Sequence, residues 1–173
     1  MRVAVSADER AGVAGLLVDE LRRRGHEVSP HGALAPPGSL PETDEPPAGG
    51  GEAGPDRREQ WAWASEAAAR EVADGRAAQA IVCCWTGTGA SIAANKVPGV
   101  RAALCTDAAT AAGARRWNDA NALALSLRST SEAELAEILD AWFATAPSDE
   151  AGDRANVEHL GEIELRGARA RVD

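Results

Sequence analysis

The residue types with most chemical promise lie in one stretch, Cys84-Trp85-Thr86-Gly87-Thr88-Gly89-Ala90-Ser91-Ile92-Ala93-Ala94-Asn95-Lys96. A thiol closes the apolar run Ala80-Ile81-Val82-Cys83-Cys84, two glycines follow, and helix-forming residues begin at once. Backbone N–H groups at such a helix start form an anion hole. The same position favours a thiolate. A base beside an anion hole is what proton abstraction next to a carbonyl requires: the base takes the α-proton and the N–H groups hold the developing enediolate. Simpler readings compete. A Cys ending a core strand often serves only as packing, and this Gly-rich turn lacks the Lys of a P-loop.

The elements that must position this stretch follow from periodicity. Arg2–Ala7 reads as a short strand ending at Asp8. Ala11–Arg24 carries Val13, Leu16, Leu17 and Leu21 at helical spacing, Gly25 stops it, and Glu27-Val28 resumes as a strand. Arg57–Asp74 is helical, with Trp61, Ala64, Ala68 and Val72 on one stripe. Ala80–Cys84 has the all-apolar character of a central parallel strand. A short helix is expected from about Ser91 to Lys96, then a strand over Val100–Cys105. A helix over Asp107–Trp117 follows with Thr106-Asp107 as N-cap, then a strand over Ala122–Leu127. Ser131 opens a helix through Ala144, Pro147–Gly152 breaks it, and Asn156–Leu165 forms a last amphipathic helix.

This order predicts an α/β fold: a Rossmann-like, doubly wound sheet of about five parallel strands with flanking helices and a C-terminal helix. We expect one domain over residues 1–166, a flexible Pro/Gly-rich insertion at about 36–56, and a frayed tail over 167–173. Ligands of such sheets sit beyond the carboxyl ends of the strands. That points to Asp8-Glu9, to Cys84–Gly89 and to the Thr106-Asp107 turn.

Composition narrows the function. The 173 residues carry a net charge of −9, so the protein's own field repels nucleic acid and anionic membrane. No apolar run approaches the roughly 18 residues of a bilayer span. The opening residues turn polar at Ser6, unlike a secretory signal. Three cysteines, two of them adjacent, make neither a disulfide framework nor a zinc site, so a reduced, cytoplasmic protein without a bound metal is expected. Ser6–Gly12 holds no GxGxxG, which speaks against a dinucleotide.

Cys84–Lys96, continuing through Val97-Pro98-Gly99-Val100-Arg101-Ala102-Ala103-Leu104-Cys105, resembles the signature of the ribose-5-phosphate isomerase B family, which also contains the galactose-6-phosphate isomerase subunits. Arg115 with Asn118-Asp119-Ala120-Asn121-Ala122-Leu123-Ala124-Leu125, and the opening strand ending in Asp8, extend the likeness over most of 1–33 and 57–165. The resemblance implies a cofactor-independent aldose–ketose isomerase acting on a sugar or sugar phosphate. It implies a homodimer or homotetramer with sites between subunits. The family's proton-transfer Cys falls on Cys84; a branch using a Glu four residues on would place it at Thr88. The ring-opening Thr falls on Thr86, the anion-hole amides on Gly87 and Gly89, the sugar-binding Asp on Asp8 and the family's Asn on Asn118.

The departures are specific. The family's Asp-His reads Asp8-Glu9, the glycine after the Cys is Trp85, and the ring-opening His is Trp117. The Tyr of an Asp-Tyr-Pro motif falls near Gln60. One phosphate-binding Arg becomes Ala112, and a Gly-Gly-Arg-His stretch is replaced around Glu150–Arg154, with Arg154 standing in. Indole cannot act as acid or base, so Trp117 cannot open a cyclic sugar. Lost Arg–phosphate forks weaken the grip on a dianion. Trp85 and Trp117 present flat apolar faces suited to a sugar ring, or else serve as core packing or subunit contact. Two functions follow: a divergent isomerase using Cys84, or a catalytically lapsed, ligand-binding relative of the same fold.

Overall fold

A computed structural model of the chain describes residues 1–36 and 59–169. Among these, strands and helices alternate as β1 (Arg2–Ala7), α1 (Ala14–Arg23), β2 (Glu27–Gly32), α2 (Trp61–Ala73), β3 (Gln79–Cys84) and α3 (Thr88–Ala94), then β4 (Ala102–Leu104), α4 (Ala108–Asn118), β5 (Ala122–Ser126), α5 (Glu132–Ala144) and α6 (Ala151–Arg169). The strands form one sheet in the order β2-β1-β3-β5-β4, every pair parallel. The expected doubly wound α/β sheet with flanking helices and a C-terminal helix is therefore present. No helix among the described residues is long and apolar enough to cross a membrane.

Side-chain alternation divides the sheet into two unlike faces. Val3, Val5, Ile81, Leu123 and Leu125 point to one side, where Leu17 and Leu21 of α1 and Leu135, Ile138 and Trp142 of α5 complete a core of large residues. Ala4, Ala80, Ala122 and Ala124 point to the other, against Ala68 and Ala69 of α2 and Ala90 and Ala94 of α3. Small residues on both partners let α2 and α3 approach the sheet closely. The buried Trp142 indole donates to Gln79 Oε1 at 2.8 Å, which satisfies the N–H of the largest core side chain, and the Arg115 guanidinium lies 5.5 Å from the Trp142 ring centroid.

Helix starts follow their chemistry. Asp107 caps α4, its carboxylate accepting the Thr110 amide at 2.7 Å. Ser131 and Glu134 form a capping box on α5. At the edge, β2 runs six residues through Pro30, longer than the expected Glu27-Val28 pair; an edge strand tolerates the missing N–H.

Several expected boundaries move. α1 starts at Ala14 instead of Ala11, because the chain first turns at Gly12, where a Cβ would stand 2.4 Å from the Leu127 carbonyl oxygen. α2 starts at Trp61, and Trp61 is 43% exposed, not part of the core stripe. α3 starts at Thr88, three residues before Ser91, because Gly87 takes the left-handed conformation (φ 75°) and turns the chain straight into the helix. β4 shrinks to three residues at the sheet edge. α6 begins at Ala151 with Gly152 inside it and continues through Arg169, so the expected break is shorter and the start of the expected frayed tail is helical. Spaced pairs such as His159–Glu162 (2.8 Å) and Arg166–Glu162 (3.5 Å) favour that extension. Beyond Pro36, the Pro/Gly-rich insertion lies outside the described residues, as do the last four residues.

Candidate active site

The sheet order reverses direction between β1 and β3, and the crevice of a doubly wound sheet opens there, beyond the carboxyl ends. Ala7 pairs with Cys83, so the next residues, Asp8 and Cys84, stand side by side. Cys84 in turn pairs with Ser126 of β5. Alternation sends Asp8 and Cys84 to the alanine-rich face, towards α2 and α3.

The turn after β3 is built from its backbone. The Gly87 amide closes on the Cys84 carbonyl at 3.1 Å, which also accepts the Leu127 amide at 3.0 Å. The Trp85 carbonyl accepts the Arg128 amide and the Ser126 hydroxyl, both at 3.0 Å. The turn is thus pinned to the chain leaving β5. A Cβ on Gly87 would lie 2.5 Å from Leu104 Cδ1 and 2.9 Å from the Leu125 carbonyl carbon, in a conformation that favours glycine. The Ala90 amide donates to Cys84 Sγ at 3.4 Å. The Thr88 and Gly89 amides, earlier in the same turn, have no carbonyl one turn behind them within the helix. Cys84 is 5% exposed, and its sulfur lies within the same small-residue cluster as Ala90.

Thr86 and Thr88 are exposed, their hydroxyls 2.7 Å apart. Asp8 is partly buried, and its Oδ1 has no hydrogen-bond partner among the described residues. Burial pushes its carboxyl above the usual range, and the Glu9 charge adds to this, while the Asp8 and Glu9 amides pull it back. Glu9 is exposed. Trp85 is 52% exposed, so core packing does not account for it.

Gln60 sits just before α2 as its N-cap residue, without a side-chain capping bond. The aromatic surface at the crevice comes instead from the next residue. A Cβ on Gly89 would lie 2.9 Å from Trp61 Cε3, so the indole covers the first turn of α3. Helical periodicity placed Trp61 in the core stripe and so missed it. Its position as the first helical residue, beside the strand ends, was the available signal. Ser126 was missed too; its register with Cys84 is visible only once β5 is paired with β3.

Trp117, Asn118 and Arg154 lie elsewhere within the chain. α4 descends eleven residues from Asp107, about 16 Å of helix, so Trp117 and Asn118 stand near the start of β5 while Cys84 stands near its end. Trp117 is 56% exposed, which removes core packing as its explanation, and its indole lies on Gly113. With Arg154, Arg116, Asp149 and Asp153 it lines a groove of about 310 Å³ between α4 and α6. Four carboxylates (Asp119, Asp149, Asp153, Glu158) face two guanidiniums there, a poor balance for a phosphate. Asn118 opens onto a neighbouring groove with Arg101 and Leu160. Asp119, in the left-handed region (φ 42°), fixes this corner by pairing with Arg101 at 2.9 Å and Arg115 at 3.4 Å.

The other two thiols are also buried. Cys83 points into the large-residue core, and burial drives its thiol strongly towards the neutral form. Burial, with Asp107 nearby, pushes Cys105 up to about 11.

The fold and crevice define a small α/β domain with a thiol and the main-chain amides of a helix start at its switch point. Comparison with known proteins makes the class specific: the chain belongs to the Ribose/Galactose Isomerase family, whose model matches residues 50–160. It is 38% identical over 96 residues to the D-erythrulose-4-phosphate isomerase of Pectobacterium atrosepticum, a match covering 56% of this chain and 62% of that protein. The match therefore spans less than two thirds of that relative's length. It is 34% identical over 166 residues to the ribose-5-phosphate isomerase B of Mycobacterium tuberculosis, covering 95% of this chain and 90% of that one. The solved structure of Clostridium thermocellum ribose-5-phosphate isomerase B superposes with a TM-score of 0.75 at 32% identity, covering 96% of this chain and 99% of that chain.

Proposed function

We propose that the protein is an aldose–ketose isomerase for a sugar or sugar phosphate other than ribose 5-phosphate, with Cys84 as the proton-transferring base. The observation that carries this reading is the Cys84 sulfur held 3.4 Å from the Ala90 amide, one residue beyond the Ala7–Cys83 pair at the switch point. In this mechanism the Cys84 thiolate removes the C2 hydrogen of an open-chain aldose as a proton. The bonding pair becomes the C1–C2 double bond, and the carbonyl oxygen becomes an oxyanion held by the Thr88 and Gly89 amides, the expected Gly87 amide being bonded to the Cys84 carbonyl. The thiol returns the proton to C1, and the O2 proton passes to O1, giving the ketose. Thr86 assists ring opening, while Asp8 holds a sugar hydroxyl.

We further propose that the site closes between subunits of a homodimer or homotetramer. Trp117, Asn118 and Arg154 of a second copy would meet the cradle, because in their own chain they stand at the far end of the sheet. The exposed Leu160, Ile163 and Leu165 of α6 give that copy an apolar surface to bury.

A second reading, a ligand-binding relative without turnover, draws on the near-complete burial of Cys84 and on Trp117, which cannot move a proton. Deuterium incorporation from solvent into a panel of pentoses, hexoses and their phosphates separates the two. Exchange that disappears in Cys84→Ala supports isomerisation. Saturable binding with no exchange above that control, for every sugar, leaves the second reading.

A further inference from the structure

Two hydroxyls below the crevice have no part in the chemistry above. Ser6 on β1 and Ser65 on α2 are fully buried, and neither side chain has a hydrogen-bond partner among the described residues. An orphaned buried hydroxyl costs about 1–3 kcal/mol, and buried polar groups are generally satisfied by protein or ordered water.

Three contacts place the two serines together. A Cβ on Gly32, at the end of β2, would lie 2.6 Å from Ala64 Cβ, so Ala64 stands over β2. Trp61 stands over Gly89, beyond β3. β1 runs between β2 and β3, and Ser65 shares the buried face of α2 with Ala64, one turn from Trp61. Ser65 therefore stands over β1. One turn further on, Ala68 and Ala69 pack in the same cluster as Ala4. After Ala4, the next β1 residue on this face is Ser6, and Asp8 follows it. A helical turn of about 5.4 Å nearly matches the roughly 6.6 Å of two strand residues. The levels pair as Ala68 and Ala69 over Ala4, Ser65 over Ser6, and Trp61 over Asp8. Asp8 Oδ1, also buried and without a partner among the described residues, is a further orphaned oxygen, two residues beyond Ser6.

We propose that Ser6 and Ser65 hold one buried water against Asp8 Oδ1, and so act as positioning residues for the carboxylate that receives the sugar. The water accepts from one hydroxyl, donates to the other, and gives its remaining proton to Asp8. Three polar partners are what a buried water ordinarily has. The arrangement steadies the carboxylate without adding charge to an acidic protein. It rests on the reading of Asp8 as the substrate-binding acid.

The test uses the full chain with Ser6→Ala, Ser65→Ala and the double variant. Three measurements are made: thermal unfolding, the Asp8 titration followed by carboxyl 13C NMR (assigned through Asp8→Asn), and steady-state kinetics. A shared water predicts that each single variant lowers Tm, and that the double variant loses less than the two losses added. It predicts that the Asp8 midpoint moves upward in every variant, as a donor to the carboxylate is lost. It predicts that KM rises about three- to tenfold with kcat nearly unchanged, the effect of weakened binding. Two isolated orphans predict the opposite: each Ala raises Tm by removing an unsatisfied hydroxyl, the two gains add, and the Asp8 midpoint stays put. That result overturns the proposal. If no sugar is turned over at all, the isomerase reading fails by itself, while unfolding and titration still decide the serine pair.

Discussion

The two ends of the sheet are built in opposite ways. At the carboxyl end, the turn after Cys84 is closed by its own main chain and by Ser126, and Gly87 is sealed against Leu104 and Leu125. At the other end, Trp117, Asn118 and Arg154 are exposed, and α6 carries Leu160, Ile163 and Leu165 into the open. One region is complete within a chain. The other is an open surface, which the proposed second subunit would complete. A cradle for a developing charge must be preorganised, because reorganisation during the reaction forfeits its advantage. Groups that recognise a substrate's periphery tolerate delivery by another subunit.

The largest expected effect falls on the closed end. Cys84→Ala should lower solvent-deuterium exchange into the substrate by roughly 10²–10⁴-fold, the usual worth of a positioned base. Circular dichroism should stay unchanged, because Ala fits a face already lined by Ala90 and Ala94. A variant that retains exchange would move the base elsewhere and leave Cys84 as packing.

Next is a test of whether the two ends act across chains. Cys84→Ala and Arg154→Ala chains, refolded together, should regain on the order of a quarter of wild-type activity, since about half of a statistical dimer population is mixed and each mixed dimer has one intact site. Neither parent alone should exceed background if Arg154 contributes strongly. If both ends served a site within one chain, mixing would restore nothing.

Gly87→Ala probes rigidity directly. A left-handed conformation costs a non-glycine residue about 1–2 kcal/mol, and overpacking adds about 1–3 kcal/mol. We expect a loss of about 3 kcal/mol in urea unfolding together with loss of activity. Gly152→Ala, in α6, meets nothing within 4 Å and should not lower stability. Equal losses at the two positions would dissolve the contrast between the regions.

Much of this was legible in the residues, and the gaps have physical causes. Alternating apolar strands and helical stripes gave the sheet, because burial on two faces writes a strong period. The Asp107 and Ser131 caps were equally readable, since each depends on neighbours a turn away. What escaped was set by cross-chain distance. The helical stripe alone does not distinguish Trp61, lying on Gly89, from a core tryptophan; only its place at the very start of α2 does. Nothing local says that Asn118, whose family pattern is so specific, stands a helix length from Cys84. The α3 start at Thr88 was missed because it depends on one glycine's left-handed turn, whereas the apolar pattern becomes helical only later.

The smallest effect concerns two carboxylates at strand ends. Asp107 is held below the usual range by the Thr110 amide and hydroxyl, as a cap should be. Asp8 is raised, chiefly by burial and also by Glu9. Linkage gives these opposite signs. A lowered carboxyl contributes stability that is present above its unfolded value and lost as pH falls through the folded one. A raised carboxyl leaves the folded chain binding its proton more tightly than the unfolded chain, so stability falls as pH rises from the unfolded value through the folded one. Above that window Asp8 holds its full cost. Asp8→Asn should therefore unfold slightly later than wild type at pH 7, with a smaller difference near pH 3, while sugar binding weakens. Asp107→Asn should unfold earlier at pH 7. Melting curves of the three proteins between pH 3 and 7 check both signs. A carboxylate that destabilises the fold where it stands points to selection for binding; an Asp8→Asn variant less stable at neutral pH would assign Asp8 to the scaffold.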